Sequence, residues 1–262
     1  MSKIPLIGIG TWQLQGKECE KTIRTALDLG YRHIDTADVY GNHEAIGLSI
    51  KSHPREEIYL TTKLSIDDLL PDDVLKAVPR FLKELDTDYL DLLLIHWPNP
   101  KVNLVKTLET MLAFKNEGIV HSIGVSNFNS ALLETLTPFE FPIATNQVEL
   151  HPYLQRKSLV TTCKNLNIPI TAYRPLAKGA FKNDITLNTI GQAYNKSASQ
   201  IALRWLIQQD IIAIPKAGSF DHLKENLAIF DFTLSNSEME EIRKLDRGQR
   251  FCAPKDFPIL EG

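Results

Sequence analysis

Eight times along this chain a short apolar, β-branched run is followed by a segment of helical period, with no linker between the pairs. The runs fall at 6–10, 32–35, 57–63, 89–95, 119–125, 143–148, 168–173 and 211–214. Helical patterns occupy 19–29, 44–51, 72–85, 104–116, 130–136, 155–166, 186–194, 199–208 and 221–229. Gly30 and Gly118 close two of them as C-cap residues, and Pro71-Asp72-Asp73 opens another. No low-complexity stretch or composition shift divides the series. The expected fold is therefore a single (β/α)8 TIM barrel, one domain over 1–262, rather than two domains. Residues 237–245 predict one more surface helix, and 248–262 an irregular tail.

In such a barrel the C-terminal ends of all strands open at one mouth, where barrel enzymes place their chemistry. Four ionisable residues lie just after three successive strand patterns: Asp35 and Tyr40 in DTADVYGN, Lys63 closing EIYLTTK, and His96 after YLDLLLI. A free phenol titrates near ~10, too weak an acid to protonate a carbonyl oxygen readily at neutral pH. An ammonium beside Tyr40 lowers that value, and Asp35 holds the ammonium in place. His96 can donate a second hydrogen bond to the oxygen as charge develops on it. No side chain donates hydride, so a nicotinamide cofactor is implied.

Each residue has a plainer role available. Asp35 suits a turn or helix cap, Tyr40 loop packing, and His96 a satisfied core position. Lys63 also suits a Schiff-base amine in an aldolase. His33 and Asp35 share one strand face, but a metal there needs further converging ligands, and Lys63 opposes a cation. No metal is expected.

Composition narrows the partners. With 43% hydrophobic and 23% charged residues, 262 residues suffice for a core. A net charge of −3 provides no basic field for nucleic acid. Neither a signal peptide nor an apolar run of about 20 residues is visible, so no membrane association is expected. Three widely spaced cysteines indicate a reducing compartment, and hence a cytoplasmic protein, rather than a disulfide or zinc framework.

Several separate stretches, in order along nearly the whole chain, resemble the aldo-keto reductase family: GIGTW (8–12), GYRHIDTADVYGNHEAIG (30–47), TTKL (61–64), LIHWP (94–98), GVSNF (124–128), NQVELHPY (146–153), AYRPLAKG (172–179) and IPKAGSFDHLKEN (214–226). The resemblance implies Tyr40 as general acid/base, Lys63 and Asp35 as its tuning pair, and His96 as the carbonyl orienter. It implies NADP(H) lying extended across the barrel mouth. Gly8-Ile9-Gly10 is accordingly not a dinucleotide loop, since no third glycine or helix start follows. By the same resemblance, Ser126, Asn127 and Gln147 hold the nicotinamide amide and Tyr173 stacks on the ring. Leu176 through Gly179 wrap the pyrophosphate. Lys216 and the helix start at Ser219 face the adenosine 2′-phosphate, and Glu225 and Asn226 meet adenine.

Four positions depart from the family pattern. Arg174 replaces a common serine and is expected to reach the phosphates. Ala217 and His222 stand where serine and arginine are usual, so some NAD(H) use is expected beside NADP(H). Ser65 replaces a tryptophan after Lys63, removing an aromatic wall. Trp12, Val39, His96, Trp97 and Asn99 are the implied substrate walls, with Arg250 a candidate for a substrate carboxylate. The resemblance is to the bacterial branch of 2,5-diketo-D-gluconate and methylglyoxal reductases, and a cytoplasmic monomer reducing small carbonyl compounds is expected. A nicotinamide-sensing binding protein and a lysine aldolase are the competing classes.

Overall fold

The computed structural model describes residues 3–252. Eight strands pair in parallel in chain order: β1 Ile9–Gly10, β2 His33–Asp35, β3 Tyr59–Leu64, β4 Leu90–Ile95, β5 Val120–Ser126, β6 Ile143–Glu149, β7 Ile170–Tyr173 and β8 Ile212–Ile214. The sheet closes on itself through a parallel bridge from Ile7 to Ala213 and hydrogen bonds from Gly8 N to Ala213 O (2.9 Å) and Gly10 N to Pro215 O (3.1 Å). Closure is close-packed. A Cβ on Gly8 would lie 2.6 Å from the His33 ring, and one on Gly10 2.9 Å from Ile214 O. The two glycines let β1 press against its neighbours, and the TIM barrel follows.

Among the described residues, ten helices surround the sheet: α1 Gly16–Asp28, α2 His43–Ile50, α3 Pro71–Leu85, α4 Leu104–Asn116, α5 Ser130–Leu136, α6 Lys157–Asn165, α7 Ile185–Tyr194, α8 Ala198–Ile207, α9 Phe220–Leu227 and α10 Asn236–Arg243. Every residue of β3 and β4 is buried, as expected for strands covered on both faces. Most of the core lies between sheet and helices, while Ile4, Tyr59, Leu92, Leu94 and Ile212 plug the barrel interior. Helix ends follow local chemistry: capping boxes start α8 (Ser197/Gln200) and α10 (Ser235/Glu238), and Pro71 starts α3.

The expected elements are all present, with shifted ends. The 6–10 run shortens to a two-residue strand, and β3 continues one residue past Lys63. Short 3-10 turns, including Asp38–Tyr40 and Ala177–Gly179, lie where only loops were expected. Of the expected irregular tail, 253–262 lies outside the described residues.

Candidate active site

A cavity of about 840 Å³ sits over the C-terminal ends of the strands. All eight strand ends feed it: Gly10, Asp35, Ser65 and Ile66, His96 and Trp97, Asn127, Gln147, Tyr173 and Arg174, and Ile214 all line it. The pleat explains the placement, because His33 and Asp35 on β2 and Tyr59, Thr61 and Lys63 on β3 point into the barrel at two-residue intervals.

At the floor, Lys63 Nζ donates to Asp35 Oδ1 at 2.5 Å and to Thr36 O at 2.7 Å. Gln147 Nε2 donates to the other carboxylate oxygen at 2.6 Å. Both partners are buried, Lys63 at 0% and Asp35 at 2% exposed. Burial pulls the Lys63 ammonium down from its ordinary range while Asp35 opposes that pull. The amine does not line the cavity, lying instead beneath it. An aldolase needs an amine that meets its substrate, so the Schiff-base reading loses its footing. His33, on the face of Asp35, turns Nε2 to Thr61 Oγ1 at 3.1 Å.

Above the pair stand the aromatic groups. The Tyr40 ring centroid is 5.1 Å from Lys63 Nζ, 5.7 Å from the His96 ring and 4.9 Å from Trp12, both ring contacts edge-on. The expected lowering of the Tyr40 pKa by Lys63 is not what the surroundings produce. Burial, then the charge of Asp35, hold the phenol well above its usual range. Burial is the larger cause, and Lys63 directs its hydrogen bonds to oxygen atoms of residues 35 and 36. Tyr40 is therefore a protonated phenol at neutral pH. Burial and the Lys63 charge hold His96 well below its ordinary value, so it is a neutral imidazole that can donate without carrying charge.

The residues expected to hold a cofactor fall into three places. Asn127, Gln147, Tyr173, Arg174, Leu176, Gly179, Lys216, His222, Glu225 and Asn226 line the same cavity as Tyr40 and His96. Ser126 is buried behind them: its hydroxyl donates to Gln147 O at 2.7 Å and accepts from Asn127 Nδ2 at 3.1 Å. Ser219 is the N-cap of α9, accepting from His222 N at 3.3 Å, outside the cavity lining. Asn127 is further held by donating to His96 O at 2.9 Å and accepting from the Tyr173 hydroxyl at 2.9 Å. Its φ of 62°, and the φ of 47–83° at Ala177, Lys178 and Gly179, are left-handed. Such conformations cluster where a fold shapes its backbone around a ligand.

Arg174 differs from expectation. Its guanidinium donates to Phe251 O, tying it to the chain's own C-terminal segment. That segment is held again by Glu149, a buried carboxylate accepting from Phe251 N (2.6 Å) and Cys252 N (2.8 Å). Phe251 and Cys252 thereby line the cavity, with Gln13, Ile66 and Ser199, none of which was expected there, and with Lys178 from the expected 176–179 stretch. Lys178, inside AYRPLAKG beside Gly179, carried a legible signal; Ser199 and Phe251 carried none. Of the expected substrate walls, Trp12, Val39 and Trp97 are in place. Asn99 instead donates to Ile66 O at 3.2 Å, outside the lining. Arg250 lies near Arg156, whose pKa burial lowers and the Arg250 charge lowers further, also outside the lining.

Comparisons with known proteins agree with this geometry. The Aldo/keto reductase family model matches residues 6–247. The methylglyoxal reductase DkgB of Escherichia coli O157:H7 is 37% identical over 258 residues, covering 96% of this chain and 97% of that protein. The 9,11-endoperoxide prostaglandin H2 reductase of Trypanosoma cruzi is 38% identical, covering 98% and 93%. A crystal structure assigned provisionally to a 2,5-diketo-D-gluconic acid reductase B superimposes with a TM-score of 0.94 at 40% identity, covering 97% of this chain and 92% of that one. With the barrel, the mouth and these matches in agreement, the chain belongs to the aldo/keto reductase family.

Proposed function

We propose that this enzyme reduces small aldehydes and ketones to alcohols with NADPH, Tyr40 giving the proton. The observation that carries this is the single cavity in which Tyr40 and His96 share walls with Tyr173, Asn127, Lys216 and His222. The donor set suits a dinucleotide: amide side chains beside an aromatic ring at the centre, and Lys178, Lys216 and His222 towards anionic groups. Gln147 commits its NH₂ to Asp35, leaving its carbonyl oxygen as an acceptor for an amide. A bound nicotinamide supplies the hydride. Neutral His96 orients the carbonyl by donating to its oxygen, and Tyr40, protonated throughout the physiological range, donates the proton. Arg174 is the positive charge that favours the phenolate left behind, and Lys63 Nζ stands 5.1 Å from the ring centroid.

Trp12, Trp97 and Val39 offer apolar contact to a short carbon chain, while Ser65 leaves one side polar. Small polar carbonyls, such as methylglyoxal or a sugar diketo acid, are the substrates this pocket suits. Cys19, Cys163 and Cys252 are free thiols, consistent with a cytoplasmic enzyme, and we take it to act as a monomer. Among the described residues, no helix is long and apolar enough to cross a membrane. The test is kcat/KM with NADPH for methylglyoxal, a diketo acid and a bulky steroid ketone. The small substrates should win clearly. Preference for the steroid would overturn the pocket assignment, and NADPH binding without turnover of any carbonyl would favour a cofactor-sensing protein.

A further inference from the structure

The 3-10 turn Asp38–Tyr40 packs inward through the Tyr40 ring alone, against Trp12 and His96, and leaves Val39 exposed. None of its three residues is fully buried, and Val39 is 53% exposed. The turn is held by hydrogen bonds to a helix on the outside of the barrel. Arg80, on α3, donates through its two terminal nitrogens to both carboxylate oxygens of Asp38, at 2.7 and 3.0 Å. This fork-to-fork pairing fixes direction as well as distance. The same guanidinium donates to Glu84 Oε1, one helical turn on, at 3.1 Å. The other Glu84 oxygen is 2.8 Å from Nδ1 of His43, whose Nε2 is 2.8 Å from Thr62 Oγ1, next to Lys63. Asp38 opens the turn that ends in Tyr40, and His43 opens α2 three residues after Tyr40. Helix α3 thus grips the chain on both sides of the phenol. From the N-cap of α1, Gln15 Nε2 donates to Tyr40 O at 2.5 Å.

Ligand-type atoms of Asp38, His43 and Glu84 lie within 4.8 Å of one another, a spacing a metal could use. Arg80 already supplies the positive charge there, bonded to both carboxylates. The cluster is complete as a brace.

We infer that Arg80, through Asp38, and Glu84, through His43, are positioning residues that hold the Tyr40 hydroxyl where proton transfer requires it. The inference rests on Tyr40 being the proton donor. Small displacements of such a group are costly, so Arg80→Ala should lower kcat by about tenfold. KM and the NADPH dissociation constant should stay within about twofold, since the rest of the cavity is untouched. Arg80→Lys, a point charge without the fork, should recover part of the loss, and the isosteric Asp38→Asn should show a smaller loss in the same direction. The decisive arm repeats Arg80→Ala in a Tyr40→Phe background, where it should cost nothing further because the group it positions is gone. An unchanged kcat in both Arg80→Ala and Asp38→Asn, or an additive loss in the Tyr40→Phe background, would overturn the brace alone. Normal turnover of Tyr40→Phe itself would remove the proton-donor reading, and the brace with it.

Discussion

At the floor of the cavity, Lys63 and Asp35 are almost wholly buried, and Thr36 and Gln147 complete their hydrogen bonds. At the rim, Lys216 and His222 are exposed, and His222 sits on a helix start capped by Ser219. The floor charges are paired before any ligand arrives, so desolvation has already been offset by geometry. Rim charges keep their water and are screened by salt. The difference teaches where each property of the enzyme resides. Changes at the floor should damage the fold and the chemistry together, and changes at the rim should adjust cofactor choice by small steps.

Breaking the floor pair should have the largest effect. Lys63→Met leaves a buried carboxylate without its cation, and a loss of about 3–5 kcal/mol in unfolding free energy is expected, measurable by denaturant titration. Adding Asp35→Asn should recover part of that stability without restoring activity. If the single variant is as stable as the parent, the pair is not the buried ion pair described here.

The buried histidines make stability depend on pH. Burial lowers the His33 pKa to about 4, and burial also lowers His43 and His96. Unfolded histidine titrates near ~6.5, so between the two values the unfolded chain binds more protons. Stability is accordingly full above ~6.5 and lost as the pH falls towards 4, with His33 alone worth about 3 kcal/mol across that window. His33→Gln should flatten the slope of melting temperature against pH in this range. An unchanged slope would show that His33 does not titrate there.

Removing the Tyr40 hydroxyl acts on chemistry alone. Tyr40→Phe should reduce turnover by about 100-fold or more, with NADPH binding intact by fluorescence titration. At the rim, His222→Arg should tighten NADPH about three- to tenfold and leave NADH unchanged, because an exposed guanidinium–phosphate contact is strong in geometry but screened. Equal effects on both cofactors would place His222 away from the 2′-phosphate. Smallest of all, Arg250→Ala should leave kcat/KM for acidic and neutral carbonyls within about twofold, since Arg250 lies outside the cavity lining.

Much of the floor was legible because strand periodicity is local. Two-residue alternation alone puts Asp35 and Lys63 inside the barrel, and closure in chain order brings their strands together. The rim was less legible. Arg174 was expected to reach phosphates, but its partner is Phe251, 77 residues away, and no local pattern announces such a contact. Ser126 sits within GVSNF and Asn99 just after LIHWP, yet their side chains bond to Gln147 O on β6 and to Ile66 O instead of lining the cavity.

The residues alone determined the barrel, its open end and the four groups gathered there, since burial pattern and turn chemistry act over a few positions at a time. Only the tertiary structure decided that the Tyr40 pKa moves up and not down, because that depends on how much water the walls exclude and on the Asp35 charge beside the ring. It alone decided that Glu149 brings Phe251 and Cys252 into the cavity, and that α3 braces the Tyr40 turn. Those outcomes rest on pairs far apart in the chain, whose energies are fixed by distance and burial once the barrel has closed.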